Sequence, residues 1–255
     1  HLQAWLISQS LHAAQGRLLA DGLLIQQAPS TAMKAEAAAA AAEAGDHLRM
    51  LRALLERYQV VYPVNAALSR RMDEALEGED WAETLLMCGL LLKTQSVAVA
   101  QLMRDFSGAS LVRQCFAEIT HDLSRQIDVA RGHLALHNAT LTAARRAPRE
   151  ARLIDAARRF ASPPDMRDLA DAFRLSEIHL DKAVARSQLA ATYRDILFQR
   201  LTPLARAAGF WSERVRYAFE ELGVLHHADL DVATFLASDA RIMRETRGDT
   251  PPPSR

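Results

Sequence analysis

Two long helical patterns meet at a short turn in residues 81–137, which read WAETLLMCGLLLKTQSVAVAQLMRDFSGASLVRQCFAEITHDLSRQIDVARGHLALH. On both sides of the turn, apolar residues recur at spacings of three and four, which is the pattern of an amphipathic helix. The turn, residues 107–110, reads SGAS and is tight enough that the chain has to reverse direction. We therefore expect residues 81–106 and 111–137 to form an antiparallel pair of helices.

A second pair of helical patterns precedes the first. Residues 2–27 show the same spacing and should end before Ala28-Pro29, because the residue before a proline disfavours the helical conformation. Ser30 and Thr31 are good capping residues, and the helix that they begin should continue to residue 58. Residues 59–80 then connect the two pairs and contain a short helix over residues 66–76. Residues 1–137 are thus expected to form a four-helix bundle.

The remainder of the chain is also helical in pattern. The periodicity weakens in residues 138–149, where Arg145, Arg146 and Arg149 cluster, and this segment is interpreted as a linker. Residues 150–247 should pack on the bundle as additional helices, and residues 248–255, which contain three consecutive prolines, are expected to be a disordered tail. The additional helices are predicted over residues 149–160, 164–201, 204–222 with a break at Gly209, and 226–244. No stretch alternates strictly enough to predict a strand, so the predicted fold class is all-α.

Composition excludes several classes of function. The chain has 255 residues, 49% of them apolar, and its 31 basic residues balance 31 acidic ones, which argues against a nucleic-acid partner. Its apolar runs fall short of the roughly 20 residues of a membrane span, so no membrane partner is predicted. Cys88 and Cys115 lie in apolar helical contexts, which favours a reduced, cytoplasmic protein. The sequence contains no glycine-rich phosphate loop and no Gly-x-Ser-x-Gly motif. Because the chain begins at His1, the completeness of its N-terminus stays open.

Two short motifs carry possible metal ligands. Two antiparallel helix pairs joined by a long crossover are the layout of ferritin-like bundles, in which each pair supplies a Glu and a Glu-x-x-His to a two-metal centre. Glu118 and His121 have the required spacing, whereas Glu43 and His47 are four residues apart instead of three. These four residues are the candidate ligands, and iron or manganese is the metal that they would hold.

The first helix of each pair lacks the matching carboxylate. Counting back across the two turns places the partner positions at Gln15 and Gln95, and each Gln lies on an apolar stripe that should face inward. The nearest acids, Asp21 and Asp105, lie more than a turn away. Because a neutral amide does not offset the charge of bridged metal cations, the centre is predicted to be degenerate, with no bound cofactor as one outcome.

Three segments carry a family resemblance: APST at residues 28–31, AAEAGDHLR at 41–49 and EDWAETLL at 79–86. With them, residues 1–137 resemble the ferritin-like superfamily, and in particular the helical hydroxylase subunits of bacterial multicomponent monooxygenases. Those subunits occur as a catalytic chain with the full ligand set and as a related chain that has lost it. The resemblance to the second kind implies a non-catalytic or atypical subunit of an oxygenase-type assembly. Its partner would be a catalytic chain or a second copy of itself.

Two other interpretations remain open. The first is a metal-dependent oxidase or oxygenase, in which Glu43, His47, Glu118 and His121 form an unusual mono-metal or two-metal site and the apolar interior holds an apolar substrate. The second is a helical scaffold unrelated to ferritins, in which Glu118 and His121 lie on a solvated face and Glu43 and His47 form a buried polar pair. His226, His227 and Asp229 also resemble ligands, but an exposed histidine pair and a helix cap account for them.

Overall fold

A computed structural model describes residues 1–162 and 167–247. In these residues the chain is all-α, with 84% helix, eleven α-helices and no strand, which confirms the predicted fold class. The N-terminal half contains α1 (Leu2–Gln27), α2 (Thr31–Tyr58), α3 (Ala66–Leu76), α4 (Trp81–Phe106) and α5 (Ser110–Ala139).

Local capping explains why these helices begin where the sequence predicts. The Ser30 hydroxyl accepts a hydrogen bond from the Met33 amide, and Asn65 accepts one in the same way from Leu68. The Asp80 carboxylate caps α4 through the Glu83 amide. Each cap satisfies a backbone donor that the first turn of a helix leaves without an intrahelical partner.

Helix α4 is the central helix of the molecule. Its segment Leu85–Leu92 is a π-helix that is buried on every side. A side chain on Gly89 would lie 2.9 Å from the Ala130 Cβ, so α4 and α5 approach closely there. In the described residues α4 is the one helix that is long and apolar enough to cross a membrane, and 78% of its most apolar window is buried inside the structure. A core helix of a soluble protein has the same features, so α4 is weak support for a membrane span.

Helix α1 packs along α2 and also runs antiparallel to α4. Its N-terminal end reaches the C-terminal end of α4, where Gln3 Nε2 donates to Ser107 Oγ. Further along, Arg17 Nη1 donates to Ser96 Oγ at 2.8 Å, and Lys93 Nζ donates to Asp21 Oδ1 at 2.8 Å. Helices α2 and α5 meet along a seam of polar pairs. The four long helices therefore meet at two polar interfaces: the one between α1 and α4 is buried, and the one between α2 and α5 is partly exposed.

The C-terminal half differs from the prediction in its breaks. Most of the predicted linker 138–149 is helix, because only three residues separate the end of α5 from the start of α6 (Ala143–Ala161). The buried Asn138 holds this junction by donating to the Ala208 carbonyl, and Arg146 donates to the carbonyls of Asn138 and Leu141. The predicted linker is therefore a tight corner between two helices.

The single helix predicted over residues 164–201 is three helices. These are α7 (Arg167–Phe173), α8 (Glu177–Ser187) and α9 (Leu189–Ala207), and residue 164 lies outside the described residues. The breaks fall at Arg174 and Gln188, both with φ of 54°, and neither position carries the glycine or proline that would have revealed it. The break predicted between residues 201 and 204 is wrong, since Pro203 lies inside α9.

The chain ends in α10 (Glu213–Glu221), a 3₁₀ turn (Leu225–His227) and α11 (Val232–Arg247). The break predicted at Gly209 is confirmed, and this glycine has a φ of +84°. Helix α11 packs on α5 through a buried carboxylate, Asp239. That carboxylate pairs with Arg104 of α4 and Arg200 of α9, and it accepts from the Ser124 hydroxyl at 2.7 Å. The predicted tail, residues 248–255, lies outside the described residues.

Candidate functional site

The two candidate metal-ligating carboxylates are both paired with arginines. Glu43 accepts hydrogen bonds from Arg125 and from Gln126 Nε2, both on α5. Glu118 accepts one from Arg247, at the end of α11. Their negative charges are therefore balanced by side chains of the same protein.

The two candidate histidines meet at a residue that the sequence did not single out as a ligand. Asp122 accepts from His47 Nε2 at 3.2 Å through one carboxylate oxygen and lies 3.3 Å from His121 Nδ1 through the other. His47 is fully buried. Burial alone would raise the pKa of the Asp122 carboxyl, but the hydrogen bonds from His47 and His121 outweigh it, so the pKa is lowered.

These four candidates do not converge on one point. His47 and His121 are joined through Asp122, whereas Glu43 and Glu118 turn to separate arginines. In residues 1–162 and 167–247, no group of three or more His, Cys, Asp or Glu side chains is arranged to hold a metal ion. The donor set therefore does not fit a carboxylate-bridged pair of metals.

The prediction that Gln15 faces inward is wrong. Gln15 is exposed, and its amide oxygen lies 3.1 Å from His12 Nδ1. Gln95 is half-buried, and its Oε1 atom is buried without a hydrogen-bond partner in the described part of the chain. A carboxylate introduced at position 15 would thus lie at the surface, whereas one at position 95 would be half-buried.

A buried charge centre that the sequence reasoning missed lies between α1 and α4. Asp21 and Lys93 form an ion pair whose side chains are 1% and 4% exposed. Arg17, one turn earlier on α1, is 2% exposed, and burial lowers its pKa to about 10, so it stays charged at neutral pH. The Cys88 thiol lies 3.9 Å from Asp21 Oδ1, and burial beside that carboxylate raises its pKa to about 12.

The small residues of α1 could have predicted this buried charge centre, because they mark the face of the helix that packs inward. Its inward face carries Ala13, Ala20 and Leu24, with Arg17 and Asp21 at the same helical spacing. The larger residues Leu11, Leu18 and Ile25, which the apolar stripe placed inward, are only half-buried. Small side chains let α1 approach α2 and α4 closely. The buried face of α1 is therefore the one with the small residues, and the large apolar residues did not identify it.

A cavity of about 1550 Å³ lies beside this centre. Its lining comes mainly from α1, α3, α4, α7, α8 and α9, with a few residues from α2, α5 and α6. The apolar residues Leu6, Val99 and Leu102 face this cavity and are half-buried, while Phe106 at its edge is 69% exposed. Of these, Val99, Leu102 and Phe106 lie on the apolar stripe of α4 that the periodicity predicted to face inward, and they line the cavity instead.

The inner end of the cavity is polar. Arg17, Ser96 and Gln95 lie there together with Arg71 of α3 and Tyr193 of α9. Burial raises the pKa of the Tyr193 hydroxyl. Arg71 and the Gln95 amide act in the opposite direction but offset only part of this increase. Burial lowers the pKa of Arg71, whose guanidinium lies 5.5 Å from the centre of the Phe160 ring.

The two histidines near the C-terminus lie in different environments. His226 is exposed as expected, but His227 is buried and lies 3.3 Å from Asp195 Oδ1 of α9. Burial and the neighbouring His226 lower the pKa of His227. Asp229 is exposed and pairs with Arg206 instead of capping a helix, so the cap prediction is wrong.

The lowered pKa of Asp122 predicts an acid-dependent loss of stability. An ionised carboxylate with a lowered folded pKa stabilises the fold above its unfolded value of 3.8, and this contribution disappears as pH falls through the folded pKa. We expect Asp122→Asn to lose about 1 kcal/mol at pH 6 and to lose less at pH 3, which lies below the unfolded value of 3.8. Urea unfolding at both values measures this, with Asp46→Asn, which alters an exposed pair on α2, as the control. An equal loss at both pH values would contradict it.

Comparisons with known proteins give no relative from which to transfer a function. No family model, no curated protein and no solved structure matches this chain significantly. The geometry of its own residues is therefore the basis for a functional conclusion.

Proposed function

We propose that this chain is a ferritin-like helical bundle in which charged side chains have replaced a two-metal centre. It serves as a non-catalytic subunit of an oxygenase-type assembly. The four long helices, their pairing and the long crossover support the bundle assignment.

The observation that carries the proposal is the buried Asp21–Lys93 pair with Arg17 beside it. A two-metal centre needs clustered carboxylates to balance the positive charge of its metals. Between α1 and α4 the cationic side chains outnumber the carboxylates, because Arg17 and Lys93 both lie beside Asp21. A metal cation beside Asp21 would meet the repulsion of both.

The α2–α5 seam supports the same conclusion. Glu43 is paired with Arg125, and Asp122 is hydrogen-bonded to His47. The candidate ligands Glu43 and His47 are thus engaged with other side chains of this protein. Their role is to hold the two helices together.

One face of α5 supports a protein partner. Val129 and Leu136 are 38% and 73% exposed and lie seven residues apart, on the same side of the helix. Gly132 lies between them, and a side chain there would meet nothing within 4 Å. An apolar strip with a central glycine allows another helix to approach closely.

Metal content tests the proposal. Protein purified from cells supplied with iron and manganese is expected to hold less than about one transition metal per two chains, because bridging carboxylates are lacking. Its melting temperature should not rise when Fe²⁺ or Mn²⁺ is added, since a ligand of the folded state would raise it. Two metals per chain would overturn the proposal and favour the oxygenase alternative, with Glu43, His47, Glu118 and His121 as its ligands.

A further inference from the structure

The cavity between α1, α3, α4 and α9 is lined by arginines and apolar side chains, and one of these arginines, Arg159, is paired with Glu74 outside the lining. Seven arginines are among the described residues that line it, and none of those lining residues is an aspartate or a glutamate. Most of the other lining side chains are apolar. We propose that this cavity binds a long-chain carboxylate, which is a molecule with one anionic head and an extended apolar tail.

The inner end of the cavity has an unused hydrogen-bond donor. Arg17 is 2% exposed and donates to Ser96 Oγ at 2.8 Å through Nη1, while its Nε atom is buried without an acceptor in the described residues. The nearby carboxylate of Asp21 forms its ion pair with Lys93. A guanidinium pairs with a carboxylate through two parallel N–H bonds, so Arg17 fits the head of such a ligand.

Two neighbouring groups complete the polar end. The Nε atom of Arg71 is also buried without an acceptor in this part of the chain. Gln95 lines the same end and its amide lies beside Tyr193, but its unpartnered Oε1 atom is an acceptor and gains no hydrogen bond from a carboxylate. A buried polar atom without a partner is unfavourable, and a bound head group with oxygen acceptors would relieve it for both arginines.

The remaining length of the cavity suits an apolar tail. It extends along α1 from Arg17 to Gln3, and these two positions, 14 residues apart, are separated by about 21 Å of helix. Leu6, Val99 and Leu102 line this part and are only half-buried. An alkyl chain laid against them would remove apolar surface from water, which is the main source of affinity for such a ligand.

Calorimetric titration of the whole protein with two 12-carbon probes tests the ligand class. The probes are dodecanoate and dodecanol, each used below the concentration at which it aggregates. Dodecanoate is expected to bind at least about tenfold more tightly, because a charge-assisted hydrogen bond contributes that much discrimination. Equal affinities, or no binding of dodecanoate, would overturn the proposal.

Two matched pairs of variants locate the site. Arg17→Gln should weaken dodecanoate binding about tenfold and leave dodecanol binding unchanged, whereas Arg52→Gln, an exposed change on α2, should affect neither. Leu6→Trp places a larger ring in the cavity and should weaken both probes, unlike Leu19→Trp on the exposed side of α1. Circular dichroism checks that each variant is folded. If Arg17→Gln does not fold, the Leu6 and Leu19 pair decides; unchanged binding in Leu6→Trp would place the ligand elsewhere and refute the site.

Discussion

Replacing Asp239 by alanine is expected to lower the free energy of unfolding by about 3–5 kcal/mol, the size typical of breaking a buried ion pair. The Asp239 side chain is 2% exposed and is shared by Arg104 and Arg200, which are themselves 7% and 8% exposed. Without it, the Arg200 guanidinium loses its paired carboxylate in the interior, and Arg104 keeps only its pair with the more exposed Asp105. The hydroxyl of Ser124 also loses its acceptor.

Chemical denaturation measures this loss, and Asp229→Ala is the matched control. Asp229 also pairs with an arginine, but its side chain is 90% exposed, so its removal should change stability little. Because Asp239 connects α11 to α4, α5 and α9, hydrogen exchange in α11 should rise most in the Asp239 variant. Equal stability of the two variants would show that this cluster does not hold α11 in place.

Replacing Lys93 by methionine is expected to have an effect of similar size, again about 3–5 kcal/mol. Lys93 is the direct partner of Asp21, and the change would leave that carboxylate buried beside Arg17 alone. Lys34→Met, at an exposed position of α2, is the control and should be nearly neutral. Thermal or urea unfolding of both variants provides the comparison.

A double-mutant cycle separates the ion pair from simple packing. Asp21→Asn combined with Lys93→Met should be more stable than the sum of the two single losses predicts, by about 1 kcal/mol or more, since each single change leaves a charge without its partner. The gain should be partial, because Arg17 stays charged in the interior. Additive losses would mean that Asp21 and Lys93 do not act as a pair, and the charge-replacement proposal would then lose its basis.

The α-helices of the first 139 residues were predictable because their signals are local. Proline at position 29 and the caps Ser30, Asn65 and Asp80 set boundaries through neighbours a few residues away. The breaks at Arg174 and Gln188 were missed because those residues adopt a left-handed conformation that their side chains do not favour. Packing against the rest of the molecule has to hold them there.

The sequence by itself determined the all-α class, the two pairs of long helices and where those helices begin and end. Which faces of α1 and α4 point inward was decided only by tertiary structure. Asp21 and Lys93 are 72 residues apart, and Arg17 and Ser96 are 79 apart, so no local periodicity reveals that they meet. The cavity also depends on tertiary structure, because it lies between Leu6, Val99 and Leu102 and the distant helices α7, α8 and α9. The free energy of burying a charge or an apolar side chain depends on the neighbours that surround it, and those neighbours come from distant parts of the chain.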